Sequence, residues 1–254
     1  MSTSISDLLR PDGRLLVRPA AEWTAQASAV AAELATRRRV PALAHIDARA
    51  TVQHAALTTA GFVESRREAV IAISVEAALE ALADASLPAD LRLSSAADVD
   101  EDRLRLLDDE LRQDVPGTSG WRSTPEEFRD HTFADPDFDP RTYLVAIDGE
   151  TGEYVGLVRI WMGPRGSRLG MVGVRRGQRR RGIASALIAE ALRAVRSTGV
   201  AEVTTTYDLT NDASKAIAER LGGRLLRTNI ELVHEPDPQR AGSVRGRKEP
   251  SRVR

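Results

Sequence analysis

The residues most able to do chemistry form a basic turn at positions 179–182, between an extended apolar run and an amphipathic helix. The run at 171–174 predicts a strand, and apolar residues recur at helical spacing after Gly182. The first N–H groups of a helix have no partner inside it and, with the helix dipole, attract anions. Gly182 would let a phosphate approach the backbone. The turn therefore predicts a phosphate site, with a plain basic surface turn as the alternative.

The order of residues in this turn resembles a known signature. The sequence Arg179-Arg180-Arg181-Gly182-Ile183-Ala184 resembles the R/Q-x-x-G-x-G/A motif of the GNAT superfamily of acetyltransferases. Near Asn211 the chain reads TNDASKAIAERLGG, which is similar to the N-x-x-S-x-x-x-x-x-x-L-G-F segment of that family. The resemblance covers about residues 89–235. It implies an α/β (α+β) fold, with a mixed central sheet flanked by helices.

The resemblance also implies acetyl-CoA as co-substrate and assigns the residues that bind it. The pyrophosphate would lie on the backbone amides of the turn, formed by Arg179, Arg180, Arg181, Gly182, Ile183 and Ala184. The pantetheine would bind along the strand Val172, Gly173 and Val174, and the N–H near Val172 would face the thioester carbonyl. Asn211 and Ser214 would contact the pantetheine or cap the last helix. No metal is expected, since the four His are scattered without ligand spacing.

The catalytic acid is where the sequence departs from the family pattern. Many members carry a Tyr shortly before L-G-F, and the corresponding residue here is Ala218, while the usual Phe is Gly223. Tyr207, at the end of the next strand, is a candidate acid. A water or an unassisted thiolate is the alternative, because a thiol with a pKa of about 8.5 is a fair leaving group.

Candidates for the base and for the acceptor pocket come from neighbouring segments. Asp208, Glu110 and Asp114 are candidate bases by location, and each could equally be a solvated or capping carboxylate. In the GNAT fold, the helix–loop–helix after residue 98 forms one wall of the acceptor site. Glu110, Asp114 and Trp121 are therefore expected to contact the acceptor. Tyr143 and Trp161 could line the same pocket or be buried in the core.

The order of elements in the first third of the chain repeats that of the last third. With Gly61-Phe62 placed on Gly222-Gly223, the apolar stripe of one helix falls on that of the other without a gap. Chance similarity of two Ala-rich helices is the alternative. We expect a degenerate half-GNAT copy at 1–86, a full catalytic domain at 89–235 and a disordered basic tail at 236–254. The first copy has RPAAEW in place of the turn, without glycine, so a structural or interfacial role is expected.

Composition narrows the class of protein. The 254 residues have a formal net charge of −1, which gives no global attraction to nucleic acid or membranes. There is no Cys, which excludes disulfides and thiolate metal sites. The first residues lack a signal-peptide pattern, and no apolar run approaches the roughly 20 residues of a membrane span. A cytoplasmic location is expected, with the protein a monomer or a homodimer.

These observations predict an N-acetyltransferase (EC 2.3.1) that moves an acetyl group from acetyl-CoA to a primary amine of a small molecule. Acetylation of a protein N-terminus or Lys is the close alternative. The absence of Tyr at position 218 leaves open a non-catalytic, CoA-binding regulatory module. Nucleic-acid binding through the arginines of the turn and tail is a further, less favoured reading.

Local patterns predict further elements, which the structure tests. Helices are expected at 20–38 and 51–59, and residues 63–75 should form one long strand or a hairpin. A helix is expected from Asp98, as N-cap, to Gln113, and another should begin at Thr124-Pro125. Residues 165–170 are expected to form a polar connection.

Overall fold

The computed structural model describes residues 4–164 and 166–236, which form two compact units. The first comprises the chain up to Arg66 and from Asn229 onward, and the second comprises Arg67–Thr228. These limits differ from the expected division at 86–89, because two long strands each contribute to both units. The expected tail at 236–254 lies, after its first residue, outside the described residues.

The first unit is a mixed sheet with two helices. β1 pairs antiparallel with β2, β2 pairs in parallel with β3, and β3 pairs antiparallel with the end of β10. Its elements are β1 (Ile5–Leu9), β2 (Leu15–Pro19), α1 (Ala25–Arg38), β3 (Ala42–Asp47), α2 (Thr51–Thr59), the start of β4 (Val63–Ser74) and the end of β10 (Arg224–His234). The predicted helix at 51–59 is confirmed, and of the two alternatives for residues 63–75, one long strand or a hairpin, the structure has the single strand.

Helix α1 begins later than its apolar pattern predicts. The Thr24 side chain accepts a hydrogen bond from the N–H of Ala27 at 3.1 Å and so caps the helix, which starts at Ala25 and not near residue 20. Trp23 precedes the helix and is buried against Phe62, with ring centroids 6.4 Å apart. Val30, expected to face inward, is exposed. The N-terminus of α1 is thus closed by its own residues.

A buried carboxylate organises the polar side of this unit. Glu231 on β10 is 1% exposed and lies opposite His45 on β3. Its carboxylate accepts hydrogen bonds from Ser65 at 2.9 Å and Arg66 at 2.8 Å, and it lies 3.1 Å from Nε2 of His45. Burial opposes ionisation, but the hydrogen bonds from His45 and Arg66 outweigh it and hold the pKa of Glu231 well below its usual value. Glu231 therefore enters the folded state as a charged, satisfied group.

Replacing this carboxylate should destabilise the fold. We expect Glu231→Gln to lower the free energy of unfolding by about 2–4 kcal/mol, because Arg66 loses its buried counter-charge. A folded-state pKa below the unfolded one gives stability above the unfolded pKa that is lost at lower pH. The difference in the free energy of unfolding between wild type and Glu231→Gln should therefore become smaller at acidic pH. Urea unfolding across pH measures this, with exposed Glu33→Gln as control. Equal stability of wild type and Glu231→Gln near neutral pH would contradict it.

The second unit is a mixed sheet of six strands in the order β4-β9-β8-β7-β6-β5. Only β8 and β9 run in parallel within it. Its further elements are α3 (Val75–Ala81), β5 (Leu91–Ser95), α4 (Glu101–Arg112), α5 (Pro125–Asp130), β6 (Tyr143–Asp148), β7 (Tyr154–Gly163), β8 (Gly166–Val174), α6 (Ile183–Ser197), β9 (Glu202–Asp208) and α7 (Asp212–Arg220). This mixed sheet flanked by helices confirms the predicted fold class.

Both faces of this sheet are covered. One face packs against α3 and α6, and its core includes Leu187, Leu192 and Val195. The other face packs against α4 and α5, and its core includes Leu104, Leu107 and Leu111. This agrees with the apolar stripes of the two long helices. Within the described residues, no helix is both long and apolar enough to cross a bilayer.

Helices α4 and α5 begin where a side chain caps the helix by accepting a hydrogen bond from a backbone N–H group of the first turn. Thr124 and Glu127 form a capping box with Pro125 in the first helical turn, which confirms the predicted start of α5. Helix α4 is capped by Asp100 and not by Asp98, which lies in a preceding 3₁₀ turn. The expected polar connection at 165–170 is instead mostly strand, because residues from Gly166 onward pair with the end of β7.

The element bounds of the two units can be compared along the sequence. A shift of 161 residues places α2 on α7 with identical limits, and places β3 and β4 within one residue of β9 and β10. The order strand, helix, parallel strand, helix, strand is also the same. That the first unit is a truncated copy concerns descent, and it stays a prediction.

Candidate functional site

The site lies where β8 and β9 separate. The two strands pair in parallel only from Ser167–Leu169 to Val203–Thr205. The next residue, Gly170, is a bulge, since Arg159 and Ile160 of β7 pair with Met171 and Leu169 and leave Gly170 without an opposite partner. Beyond the bulge, β8 continues along β7 while its other edge is no longer paired with β9. Backbone groups on that edge are available to an extended ligand.

A cavity of about 90 Å³ occupies the space between the separated strands. β8 contributes residues from Leu169 to Val172, and β9 contributes Thr205 and Thr206. α7 closes one side with Ser214, Ile217, Ala218 and Leu221, while Ile73 and Val115 complete the lining. Of the residues predicted to bind cofactor, Val172 and Ser214 lie in this lining. Asn211 caps α7 by accepting a hydrogen bond from the Ser214 N–H at 3.1 Å.

The rest of the predicted pantetheine strand lies close to α4. A Cβ at Gly173 would lie 2.9 Å from Cδ1 of Leu111, so a glycine there lets the helix pack directly on the strand. Val174 is buried, and its carbonyl accepts a hydrogen bond from Nε of Arg179 at 2.9 Å. The strand and the basic turn are therefore linked by a direct bond.

The turn leaves the N-terminus of α6 open. Gly182 is the N-cap with φ 81°, in the left-handed region, and no side chain caps the helix. A Cβ at Gly182 would meet no atom within 4 Å. Arg180 is also left-handed, with φ 65°, which is unfavourable for a residue with a side chain. The first N–H groups of α6, including those of Ile183 and Ala184, thus have no side-chain cap, as a phosphate site requires.

Most arginines around this turn already have carboxylate partners. Asp114, in the loop after α4, binds both Arg176, at 2.5 Å, and Arg179. The same pattern holds for Arg175 with Glu110 and Glu153, and for Arg181 with Asp90. Arg180 makes no such pair with the described residues. The predicted positive charge is present, but much of it is neutralised within the fold.

Asp114 therefore lies at the cofactor end of the site. With Glu110 it lines a cavity of about 550 Å³ beside residues 175–179. Hydrogen bonds from Arg176 and Arg179 lower the pKa of Asp114 to about 2. A carboxylate held ionised in this way is a counter-ion for the turn. Its assignment as acceptor contact or base stays a prediction.

Trp121, the third expected acceptor contact, lies on the α4–α5 loop. Its indole N–H donates to Oγ of Ser123 at 3.0 Å, and the guanidinium carbon of Arg112 lies 4.5 Å from its ring centroid. Arg112 in turn pairs with the buried Asp108 on α4. These contacts place Trp121 among arginines, on the α4 side of the sheet.

The two catalytic candidates lie at the end of β9. Tyr207 packs against the apolar cluster beneath α6, and it is not among the residues that line the cavity between the strands. Asp208 is 6% exposed and accepts hydrogen bonds from the N–H and the hydroxyl of Thr210. It therefore shapes the loop before α7. The catalytic roles of Tyr207 and Asp208 stay predictions.

The departures from the family pattern near residue 220 have structural consequences. Ala218 lines the cavity, so the methyl group faces the space where a longer side chain would carry an acid. A Cβ at Gly223 would lie 2.6 Å from Cδ1 of Ile71 and 2.9 Å from the carbonyl oxygen of Ala218. The packing therefore excludes Phe at position 223.

Several residues of the site were not predicted. The bulge at Gly170 could have been predicted from the sequence, since an isolated Gly within a strand pattern often marks a β-bulge. The cavity residues Thr205, Thr206 and Val115 and the counter-ion Asp90 had none, because only folding brings them to the site. Within the described residues, no group of three or more His, Cys, Asp or Glu could hold a metal ion.

The comparisons with known proteins agree with this geometry. Residues 105–223 match the sequence profile of the Acetyltransferase (GNAT) family. The matched segment lies within the second unit and contains β8, the basic turn and α7. The match supports an enzyme of the N-acetyltransferase class, EC 2.3.1, and enzymes of that family use acetyl-CoA as acyl donor. No curated protein matches the sequence significantly.

Solved structures share the fold. A GCN5-related N-acetyltransferase from Sphaerobacter thermophilus has a TM-score of 0.69 at 21% identity, over 92% of this chain and 76% of that one. A tandem GNAT protein from the clavulanic acid biosynthesis pathway has a TM-score of 0.64 at 17% identity, over 90% and 76%. A GCN5-related N-acetyltransferase from Kribbella flavida has a TM-score of 0.60 at 15% identity, over 93% and 89%. At such identities the likeness concerns the fold alone.

Removing the counter-ion of the turn should strengthen acetyl-CoA binding. In Asp114→Asn, Arg176 and Arg179 no longer pair with a carboxylate, so we expect about three- to tenfold tighter binding at low salt. Added salt should reduce this gain in acetyl-CoA affinity, because it screens the charges of the arginines. Because the low pKa keeps Asp114 ionised until the pH falls toward about 2, the gain should not change across mildly acidic and neutral pH. Calorimetric titration measures it.

Asp84→Asn is the matched control, since Asp84 is exposed on the same unit. Its affinity for acetyl-CoA should equal that of wild type. Weaker binding in Asp114→Asn would mean that the carboxylate holds the arginines in place for the phosphates and does not compete with them.

Proposed function

We propose that the protein transfers the acetyl group of acetyl-CoA directly to a primary amine of a small molecule. The observation that carries the proposal is the conjunction of two features on one unit. An uncapped helix start with open backbone N–H groups lies at Gly182, and a cavity between separated strands lies at residues 170–172. The first suits the pyrophosphate and the second suits the thioester end of the same ligand.

In this proposal, residues of the second unit bind acetyl-CoA and orient it for transfer. The edge of β8 beyond Leu169 offers unpaired backbone groups to the pantetheine, and Gly173 keeps α4 tight against the other face. The N–H groups of Ile183 and Ala184 and the charge of Arg180 hold the phosphates. Bound acetyl-CoA supplies an activated thioester, so holding the amine near it provides much of the rate enhancement.

Among the residues that the structure describes, no titratable side chain lines the cavity between the strands, and the polar side chains of its lining are Thr205, Thr206 and Ser214. We therefore propose that the amine nitrogen bonds to the thioester carbonyl carbon and gives its proton to water. The C–S bond then breaks, and the sulfur leaves as a thiolate or is protonated by water, which a thiol pKa of about 8.5 permits. The volume of about 90 Å³ supports a small acceptor, and Val115 and α7 both contribute to the lining of the cavity.

A non-catalytic CoA-binding module is the second candidate, and Ala218 in the cavity favours it. An enzyme would acetylate at least one amine in a broad panel, while a module would bind acetyl-CoA without turnover. Acetylation of a protein N-terminus or Lys would instead appear with peptide acceptors only.

We also propose that the first unit is a truncated copy without a cofactor site. Thr24 closes the start of α1, and Trp23 fills the position of the open turn. The proposal requires one molecule of acetyl-CoA per chain.

Gly182→Glu tests the cofactor site. A side chain at φ 81° is strained, and its carboxylate would repel the pyrophosphate. We expect wild type to bind one acetyl-CoA per chain, and the variant to bind at least about tenfold more weakly, by calorimetry. Gly199→Glu is the matched control, because Gly199 has the same φ of 81° with open space around it and follows the opposite end of α6. It should bind like wild type.

If wild type binds no acetyl-CoA, the chain keeps only the fold of an acetyltransferase, and the function proposed here is refuted. If Gly199→Glu loses affinity to the same degree as Gly182→Glu, strain on α6 explains the loss and the phosphate site is not supported.

A further inference from the structure

The side of the sheet that faces α4 carries an arginine without a counter-ion, directly beside the cavity between the strands. Arg168 on β8 is opposite Trp161 on β7, two residues before the bulge at Gly170. An ideal Cβ on Gly170 would lie 2.8 Å from Nε1 of Trp161 and 3.7 Å from Nη1 of Arg168. The indole and the guanidinium therefore converge on the backbone of Gly170, which lines the cavity.

Arg168 differs from the arginines around it. Arg112 pairs with Asp108, and four arginines in or beside the basic turn pair with Glu110, Asp114 or Asp90: Arg175, Arg176, Arg179 and Arg181. No carboxylate oxygen of the described residues lies within the 4.0 Å of an ion pair with Arg168. Arg168 and Arg180 thus make no ion pair with the described residues, and Arg180 lies in the turn predicted to hold the phosphates.

A second arginine lies behind Arg168 and is also poorly satisfied. Arg159 is 7% exposed, and its guanidinium carbon lies 4.7 Å from the centroid of the Trp161 ring. Its Nη1 is 3.5 Å from Oγ1 of Thr132, and its Nη2 is 4.0 Å from Oδ1 of Asp108. Within the described chain, Nε of Arg159, Oδ1 of Asp108 and the hydroxyl of Tyr143 are buried without a hydrogen-bond partner. Each of these buried polar atoms calls for a hydrogen-bond partner, which an ordered water or a ligand can supply.

The electrostatics agree with this geometry. Although much of the Arg168 side chain is exposed, its charged end is surrounded by protein atoms. This burial and the charges of Arg159 and Arg112 lower the pKa of Arg168 from its usual value, and the charges of Asp135 and Asp137 offset only part of that effect. Like charges held together in this way are relieved by a bound anion.

We infer that the acceptor is an amine that also carries a carboxylate, and that Arg168 binds this carboxylate beside Gly170, with Arg159 adding positive charge behind it. The inference rests on the proposed function, because the amine must reach the thioester position between the strands. A guanidinium binds a carboxylate through two parallel hydrogen bonds, so Arg168 orients the acceptor as well as attracting it. Nη1 lies only 3.7 Å from the Cβ position of Gly170, at the edge of the cavity, so the inference favours an acceptor with few bonds between its carboxylate and its amine, as in an amino acid.

The test compares acceptors that differ only in charge. Glycine, β-alanine and 4-aminobutyrate are each paired with the corresponding amide, and acetyl transfer is measured as kcat/KM. For wild type we expect at least one carboxylate to be preferred over its amide by about 10- to 100-fold. Arg168→Gln should reduce this preference to near one by slowing the carboxylate reaction, while Arg168→Lys keeps part of it. Amide reactions and acetyl-CoA affinity should change less than about twofold.

Arg92→Gln is the matched control, since Arg92 is exposed on β5 of the same unit. It should keep the full preference for the carboxylate. Equal use of carboxylate and amide by wild type, or a preference that survives in Arg168→Gln, overturns the inference and leaves the proposed function intact.

Failure of the proposed function has a different signature, which is the absence of acetyl transfer to every amine. Calorimetric titration of the three amino acids into the wild-type protein, with acetyl-CoA present, then decides the inference separately. Binding that Arg168→Gln loses and Arg92→Gln keeps supports the carboxylate site. Absence of binding by wild type refutes it.

Discussion

The pairing of β8 with β9 ends after three residues, and the functional geometry depends on that limit. Burying a strand edge whose backbone groups have no partner costs free energy. Two features keep β8 and β9 apart in spite of this cost: the bulge at Gly170, and α7, which lines the cavity between the two strands. α6 joins the two strands, and its uncapped N-terminus follows directly from the end of β8. Had the strands stayed paired, β8 would have no free edge and the cavity would be filled.

The second constraint on the site is the pairing of its arginines with carboxylates. The fold gathers many arginines on one unit, and it offsets most of them with a nearby carboxylate on another element, as Asp114 does for Arg176 and Arg179. Each ion pair holds a loop in place. It also reduces the positive electrostatic potential that the arginine presents to a ligand. The guanidiniums of Arg180 and Arg168, left without a partner in the described chain, then mark where ligand anions are needed. One lies at the phosphate turn and the other lies beside the bulge.

Local structure could be predicted where its cause lies within a few residues. The limits of α2, the capping box at Thr124 and the strand–turn–helix around Gly182 follow from caps, glycine and apolar period. Starts of helices were misplaced where two candidate caps compete nearby, as with Asp98 and Asp100. The limits of the two compact units have no local signal in the sequence, because they fall within β4 and β10. The expected domains at 1–86 and 89–235 stay a prediction.

By itself the sequence determined the mixed α/β class, the basic glycine turn that starts α6, and the kinship of residues 105–223 with an acetyltransferase family. Each of these depends on residue types at short, fixed spacing. Only the tertiary structure decided which carboxylates neutralise the turn, that Ala218 lines the cavity while Tyr207 packs against the core, and that Arg168 and Trp161 converge on Gly170. These depend on strand register and on contacts between distant segments, where a shift of one residue moves a side chain to the opposite face of the sheet.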